Sequence, residues 1–270
     1  MELRIYKDTA RNIRELALKM RHKSGAYHIG GDLSCADILA VLYTDILRVK
    51  SSNPQWNERD RFILSKGHSC ASLYAILAMK KFFPMEWLDT FYQNDGKLAG
   101  HVIHSVPGIE TSTGSLGHGL PIACGMALTA KRNKKLWRVF TLLSDGEMNE
   151  GSNWESILFA GHHRLENLVA IIDYNKIQSL GLTKEILDLD PLADKLRSFN
   201  WGVREVDGHN VEQLSEILLS VPIEKGKPSI LIAHTVKGKG VSFMEDSVHW
   251  HYRRPDDEQL AQAMREIYEN

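Results

Sequence analysis

Asp145 and Asn175 are the residues of this 270-residue chain whose types and spacing first indicate chemistry. Each follows an apolar, β-prone run, at 139–143 and at 168–173, and an amphipathic segment at 152–163 lies between the two runs. This order predicts a strand, a helix and a second strand whose carboxyl ends meet at one edge of a parallel sheet. A carboxylate and an amide oxygen at that edge are suited to a hard cation that keeps positions open for phosphate oxygens.

The rest of the chain continues this alternation of strands and helices. Further apolar runs predict strands at 61–65, 201–206 and 229–233. A first helix is expected to begin after Asp8, and a second at Ser34, where Asp37 would complete a capping box. We therefore expect an α/β fold in which a parallel sheet is flanked by helices. A single domain would cover residues 1–270, with an irregular C-terminal tail from about residue 237.

Composition excludes several classes of protein. The formal net charge of −1 gives no basic footprint for nucleic acid, and 43% hydrophobic residues is an ordinary value for a globular protein. No apolar run reaches membrane length, and the charged N-terminal stretch is typical of neither a signal peptide nor an anchor. The three cysteines, Cys35, Cys70 and Cys124, are widely spaced among apolar residues, as expected for reduced thiols in a cytoplasmic protein.

Histidines recur in the glycine-rich segments of the chain. His28 lies among Gly25, Gly30 and Gly31, and His68 follows the predicted strand 61–65 almost directly. The aperiodic segment 93–119 contributes three more, which are His101, His104 and His118. A long loop in a compact domain is usually functional or disordered, and the glycines and histidines favour a functional loop. A single loop histidine is more often a surface polar group, so these residues gain weight only as a set.

Five motifs resemble those of transketolases and occur in the same order. They are GAYHIGG, SKGHSCASLYA, GH followed by TSTGSLGHG, SDGEMNEGSNWES and HTVKGKGV, and together they span almost the whole chain. The stretch from Leu142 to Ile177 also resembles the thiamine-diphosphate motif, in which GDG is followed about thirty residues later by Asn. Ser144 replaces the first glycine of that motif here. The resemblance implies a PP-type domain, the domain that binds the diphosphate of the coenzyme.

The resemblance also implies a ligand set for the coenzyme and its metal. Asp145, Asn175 and the backbone carbonyl of Ile177 match the family's ligands of Mg²⁺ or Ca²⁺. Contacts with thiamine diphosphate are implied for His68, Gly114, Ser115, Leu116, Gly146, Glu147, Asn175 and Lys237.

Four histidines match the family's active-site histidines: His28, His68, His101 and His251. By resemblance, His101 contacts the donor ketose, His28 and His251 face reacting oxygens, and His68 lies by the diphosphate. The family has Trp-His-Gly where this chain has Trp250, His251 and Tyr252, so His249 remains a rival to His251.

Two further positions match polar residues of the family. His118 stands where many members have glutamine, and Glu150 matches a glutamate at the family's dimer interface. Each of these two residues is equally well explained as a polar loop residue.

One residue of the family's site has no counterpart in the chain. The glutamate that activates the coenzyme lies in a second domain, which follows the one that this sequence resembles. The resemblance therefore implies the N-terminal subunit of a two-component transketolase. Together with a C-terminal partner that carries the pyrimidine-binding domain, in a heterotetramer, it would transfer a two-carbon ketol unit from a ketose, often a phosphate ester, to an aldose.

Two other functions were weighed against this one. The α subunit of a 2-oxo acid dehydrogenase also pairs a diphosphate-binding domain with a separate chain, but the segments around His28, His68 and 114–119 argue against it. A non-catalytic module that keeps the cofactor fold is disfavoured because Asp145, Asn175 and the histidines are retained.

Overall fold

A parallel five-stranded sheet forms the centre of the computed structural model, which describes residues 2–269. The strands are β1 (Arg61–Leu64), β2 (Val139–Ser144), β3 (Leu168–Tyr174), β4 (Gly202–Asp207) and β5 (Ser229–His234). Their order across the sheet is β1-β2-β3-β5-β4, so β5 lies between β3 and the edge strand β4. Every pair is parallel, so all five carboxyl ends lie at one edge.

Helices cover both faces of the sheet. They are α1 (Glu2–Ser24), α2 (Ile29–Ser34), α3 (Ala36–Val41), α4 (Cys70–Met79), α5 (Gly119–Arg132), α6 (Gly151–His162), α7 (Thr183–Ile186), α8 (Leu192–Ser198), α9 (Val211–Leu219) and α10 (Asp257–Glu269). Short 3-10 helices occupy Gly67–Ser69, Met85–Thr90, Gly146–Asn149 and Val248–His251, and a π-helical turn follows α3 at Leu42–Ile46. Within residues 2–269, no helix is long and apolar enough to cross a membrane.

Alternate residues of each strand supply two separate cores. Phe140 and Leu142 of β2 belong to the core that is shared with α1, α3 and α4. Val139 and Leu143 of the same strand belong to the core shared with α5, α6 and α8. Because both faces are covered, all seven residues of β3 are buried. The continuous apolar runs that predicted the strands therefore reflect burial on two sides.

Two predicted helix starts were wrong. The first helix begins at Glu2 rather than after Asp8, and Tyr6 in its added turns is buried, where its hydroxyl contacts Ser215 at 3.1 Å. The second helical segment begins at Ile29, within the glycine stretch, rather than at Ser34. Asp37 caps nothing, because its carboxylate accepts hydrogen bonds from Arg14 at 2.5 Å and from His209 at 2.8 Å.

The segment from residue 237 onward is closely packed against the rest of the domain. It contains the 3-10 helix Val248–His251 and ends in α10, which packs against α1. The guanidinium of Arg11 lies 5.2 Å from the centre of the Tyr268 ring, and the Tyr268 hydroxyl donates a hydrogen bond to Glu15. The last helix thereby fixes the segment that crosses the carboxyl edge of the sheet.

Candidate active site at the carboxyl edge of the sheet

A cavity of about 210 Å³ opens at the carboxyl edge of the sheet. Four strand ends supply residues to it: Lys66 follows β1, Asp145 follows β2, Asn175 follows β3 and Lys237 follows β5. The other lining residues are His28, Gly31, His68, His101, Gly114, Leu116, Ser144, Gly146, Ile177, Gln178, Ser179, His251 and Tyr252. This is the edge where ligands of open α/β sheets bind.

Asp145, Asn175 and Ile177 lie together at the deep end of this cavity, where all three are buried. The Asp145 carboxylate accepts hydrogen bonds from the backbone N–H groups of Gly146, at 2.7 Å, and of Lys176. The Asn175 side-chain oxygen accepts a bond from the N–H of Ile177 at 3.2 Å. These contacts fix three oxygen donors of the kind that Mg²⁺ and Ca²⁺ prefer.

The donor set fits a cation that receives further ligands from a bound phosphate. Across residues 2–269, no three His, Cys, Asp or Glu side chains come together to form a metal site by themselves. The available donors are instead one carboxylate, one amide oxygen and one backbone carbonyl, so a cation here depends on oxygens from its ligand. The carbonyl of Ile177 already accepts a hydrogen bond from the Lys237 ammonium at 2.8 Å, which shows that it attracts positive charge.

Burial perturbs the charged groups of this end. Burial, assisted by the charge of Asp173, raises the pKa of Asp145 to about 6. Burial also lowers the pKa of Lys237 to about 8, although the charge of Asp145 opposes the shift. Each group therefore lacks an adequate counter-charge, as expected of a site built to receive an anion together with a cation.

A buried ion pair lies beside the cavity. Lys66 donates hydrogen bonds to the Asp173 carboxylate and, at 3.0 Å, to the carbonyl of Gly31. The same carboxylate accepts bonds from the hydroxyls of Ser34, at 2.6 Å, and of Thr235. Burial alone would raise the pKa of Asp173, but the Lys66 charge and these donors outweigh it and the pKa is lowered.

His28 lies at the centre of a cluster of aromatic rings. Its ring centroid is 5.3 Å from that of His68, 6.0 Å from His101 and 5.3 Å from His251. The ring of Tyr252 lies 5.3 Å away on the exposed side. The structure thus brings together all four histidines that the sequence singled out as catalytic.

These imidazoles are held neutral. Burial, with a contribution from Arg21, lowers the pKa of His28 to about 4, and burial with Lys237 lowers that of His251 to about 3. Burial also lowers the pKa of His68 and, less strongly, that of His101. Because Lys237 donates to Nδ1 of His251 at 2.9 Å, the proton of that ring lies on Nε2. A neutral imidazole can both donate and accept a hydrogen bond at neutral pH.

The structure distinguishes His251 from its rival. His251 lines the cavity, whereas His249 is exposed and lies outside it. Three other residues from the sequence also lie away from the cavity lining. Ser115 and His118 are exposed in the loop before α5, and Glu150 is exposed before α6.

Glu147 is buried beneath the cavity instead of lining it. Its carboxylate accepts hydrogen bonds from the hydroxyl of Ser65, from the N–H of Gly117 at 2.9 Å and from the N–H of Ser144 at 3.3 Å. It therefore fixes the loop that carries Gly114 to the end of β2.

Sequence reasoning overlooked several residues that line the cavity. Lys66 could have been found, since it follows a predicted strand and precedes His68. Gln178 and Ser179 carry no sequence signal beyond their nearness to Asn175. Tyr252 was noted only as a departure from the family pattern.

Comparisons with known proteins agree with this geometry. Residues 5–268 match the family model described as "Transketolase, thiamine diphosphate binding domain". One of the two subunits that make up an apulose-4-phosphate transketolase of Phocaeicola vulgatus is 43% identical, over 95% of this chain and 91% of that protein. A 6-deoxy-6-sulfo-D-fructose transketolase subunit from Clostridium is 42% identical, over 94% of this chain and 93% of that protein.

Longer transketolases match over part of their length. Human transketolase is 37% identical over 99% of this chain, which spans 42% of the human protein. The crystal structure of Campylobacter jejuni transketolase superposes with a TM-score of 0.94 at 30% identity, covering 99% of this chain and 43% of that one. The chain therefore belongs to the transketolase family, as an N-terminal, thiamine-diphosphate-binding subunit of the split type.

Proposed function

We propose that this chain binds thiamine diphosphate and a divalent cation, Mg²⁺ or Ca²⁺, in the cavity at the carboxyl edge of the sheet. The observation that carries the proposal is the convergence of Asp145, Asn175 and the Ile177 carbonyl at the buried end of that cavity, with Lys237 beside them. The three oxygens would hold the cation, and the Lys237 ammonium would neutralise a diphosphate oxygen.

The remaining cofactor contacts follow the cavity wall. Gly114, Leu116 and Gly146 line it and would contact the coenzyme, and His68 would lie near the diphosphate. Ser115 and Glu147 were also expected to contact the coenzyme. Ser115 would have to do so through its backbone, since it is exposed outside the wall, and Glu147 would act by fixing the loop around Gly117. When bound, the coenzyme supplies a carbanion that can add to a carbonyl carbon.

The histidine cluster would manage the protons of the sugar. A ketol transfer moves protons between hydroxyl and carbonyl oxygens as carbon–carbon bonds break and form, so the site needs neutral donors and acceptors. His28 and His251 are held neutral by their surroundings, and Nε2–H of His251 is available as a donor. His101, which is exposed at the opening of the cavity, would position the donor ketose.

The substrates would be a ketose donor and an aldose acceptor, at least one of which bears an anionic group. Two of the similar subunits carry names that specify a phosphorylated sugar and a sulfonated sugar. These names support a role in carbohydrate metabolism with an anionic sugar. The three buried, unbonded cysteines support a reducing compartment such as the cytoplasm.

The complete enzyme would need a second polypeptide. This chain spans less than half of the longer transketolases, and its similar relatives of equal size are named as subunits. The partner would carry the pyrimidine-binding domain and the glutamate that activates the coenzyme. Two such pairs would form a heterotetramer, with each active site shared between chains.

Reconstitution tests this proposal. The purified chain should show no ketol transfer and bind thiamine diphosphate weakly, and activity should appear in proportion to complex formed when the partner is added. A panel of phosphorylated and sulfonated ketoses would then identify the donor. Robust turnover by this chain alone, with no co-purified protein in the mass spectrum, would contradict the two-chain proposal, and no turnover by the assembled complex with any ketose would contradict the activity.

A further inference from the structure

Tyr252 lies at the opening of the cavity without a part in the function proposed above. Its side chain lines the same cavity as the four histidines, while 55% of its surface remains exposed. The ring centroid lies 5.3 Å from that of His28 and 4.6 Å from that of His251, at steep interplanar angles of 66° and 61°. The tyrosine ring thus forms part of the outer wall of the histidine cluster.

The backbone on both sides of Tyr252 is anchored. On one side, the carbonyl of His251 accepts a hydrogen bond from the N–H of His28 at 3.1 Å, and the buried Trp250 packs its ring 5.3 Å from that of Phe243. On the other side, the carbonyl of the buried Pro255 lies 2.9 Å from Nδ1 of His22. Because the flanking residues are fixed, the ring is held over the cluster rather than free to leave it.

The cavity is graded from a closed end to an open one. Asp145 and Asn175 are 1% and 3% exposed and mark the closed end, where the proposed diphosphate would lie. The histidines occupy the middle, and Tyr252 and His101 are exposed at the opening. A sugar whose reactive carbon reaches the histidines must therefore extend its remaining carbons outward, along the wall that Tyr252 forms.

We propose that Tyr252 is a specificity-determining residue that packs its ring against the carbons of the sugar beyond the reacting centre. The proposal rests on the ketol transfer proposed above and adds a preference for sugars long enough to reach the ring. The flat ring offers apolar surface to the C–H groups of a sugar chain, and its hydroxyl offers one hydrogen bond. A two-carbon aldehyde would stop short of this wall, whereas a sugar of four or five carbons would lie along it.

The test compares acceptors of different length in the complex of this chain with its partner, under one common donor. The measured quantity is the ratio of kcat/KM for a four- or five-carbon aldose to kcat/KM for glycolaldehyde. We expect Tyr252→Gly to lower this ratio by a factor on the order of 10–100, the usual discrimination by one apolar contact surface. Tyr252→Phe retains the ring and should keep the ratio within about threefold of the wild type.

A matched control is available in the same part of the site. Tyr27 is 52% exposed and adjoins His28 but does not line the cavity, so Tyr27→Ala should not change the ratio. An unchanged ratio in Tyr252→Gly would overturn the proposal, as would an equal loss for both acceptors accompanied by weaker thiamine-diphosphate binding. Wild-type turnover of glycolaldehyde tests the ketol transfer separately, because it does not depend on Tyr252 discriminating between acceptors.

Discussion

The backbone N–H of His28 donates a hydrogen bond to the carbonyl oxygen of His251, with 3.1 Å between the two atoms. This bond joins the glycine-rich loop before α2 to the segment after β5. His28 takes part in it from a left-handed backbone conformation, with φ of 77° and ψ of 21°. A side chain in that conformation costs about 1–2 kcal/mol relative to glycine. The strain is local to a residue whose imidazole is the centre of the cluster.

Replacement of His28 should separate stability from activity. Both His28→Gly and His28→Ala remove the imidazole, and both should lower ketol transfer in the assembled complex. Only glycine relieves the left-handed conformation, so His28→Gly should have a free energy of unfolding about 1 kcal/mol greater than His28→Ala. Urea denaturation of the two variants at pH 7 measures the difference, and equal stabilities would contradict the conformational argument.

Removal of the Asp145 carboxylate should abolish Mg²⁺-dependent binding of thiamine diphosphate by the complex. Asp145→Ala takes a charged ligand from a site that must also balance a diphosphate, while cooperative unfolding should be kept. Titration calorimetry with and without Mg²⁺ measures the effect. Asp188→Ala removes an exposed carboxylate outside the cavity and serves as the control. Cofactor affinity that is equal in the two variants would show that Asp145 is not a ligand.

His101→Ala should affect the substrate rather than the cofactor. His101 lies at the exposed end of the cavity, away from the buried oxygen donors, so affinity for thiamine diphosphate should remain close to that of the wild type. The value of kcat/KM for the donor ketose should fall by a factor on the order of 10²–10³, the usual effect of losing one transition-state hydrogen bond. A parallel loss of cofactor binding would assign His101 a structural or diphosphate-binding role instead.

The neutral histidines predict a loss of stability in mild acid. The pKa values of His28 and His251 are about 4 and 3 in the folded protein, below the ordinary value of 6.5 for an unfolded chain. As pH falls below 6.5 the unfolded chain therefore binds protons that the folded protein does not, so the free energy of unfolding falls until pH reaches the folded pKa values.

A single substitution isolates this effect. Between pH 7 and pH 5, the drop in the free energy of unfolding should be smaller in His251→Gln than in the wild type by about 1 kcal/mol, after allowance for the partial exposure of the ring. Urea denaturation of the cofactor-free chain at both pH values measures it. An identical drop in the two proteins would mean that His251 titrates normally in the folded state.

Two helical glycines predict stability changes of opposite sign. A Cβ at Gly161 in α6 would lie 2.0 Å from the backbone oxygen of Phe199, so Gly161→Ala should destabilise the fold by about 2–3 kcal/mol. A Cβ at Gly125 in α5 would meet nothing within 4 Å, so Gly125→Ala should stabilise it by about 0.5–1 kcal/mol. Thermal unfolding of the isolated chain compares them, and a shift of the same sign in both would refute the packing argument.

The sequence predicted the elements whose signal is local. The strands before Asp145 and Asn175 were found because strands buried on both faces are continuously apolar, and their polar ends mark the sheet edge. The start of α2 at Ile29 was missed because glycines have poor helix propensity, and it is the packing of Gly31 against Ser69 that favours a helix there.

Contacts between distant residues could not be predicted in the same way. Lys66 and Asp173 are each unremarkable in sequence, and only the fold shows that they pair. The contact of Tyr252 with the histidine cluster likewise depends on the path of the chain after β5, which carries no periodic pattern.

The buried carboxylate of Asp173 also bears on how the chain reaches its folded state. Its donors Ser34, Lys66 and Thr235 lie 139, 107 and 62 residues away along the chain. Contacts of such separation form late, because the intervening loops must close before any energy is gained. Until they form, the charge of Asp173 has no compensation, and its burial opposes every partly assembled intermediate. The binding cavity is therefore not a feature that a folding fragment can acquire early; it arises in the same cooperative step that completes the domain.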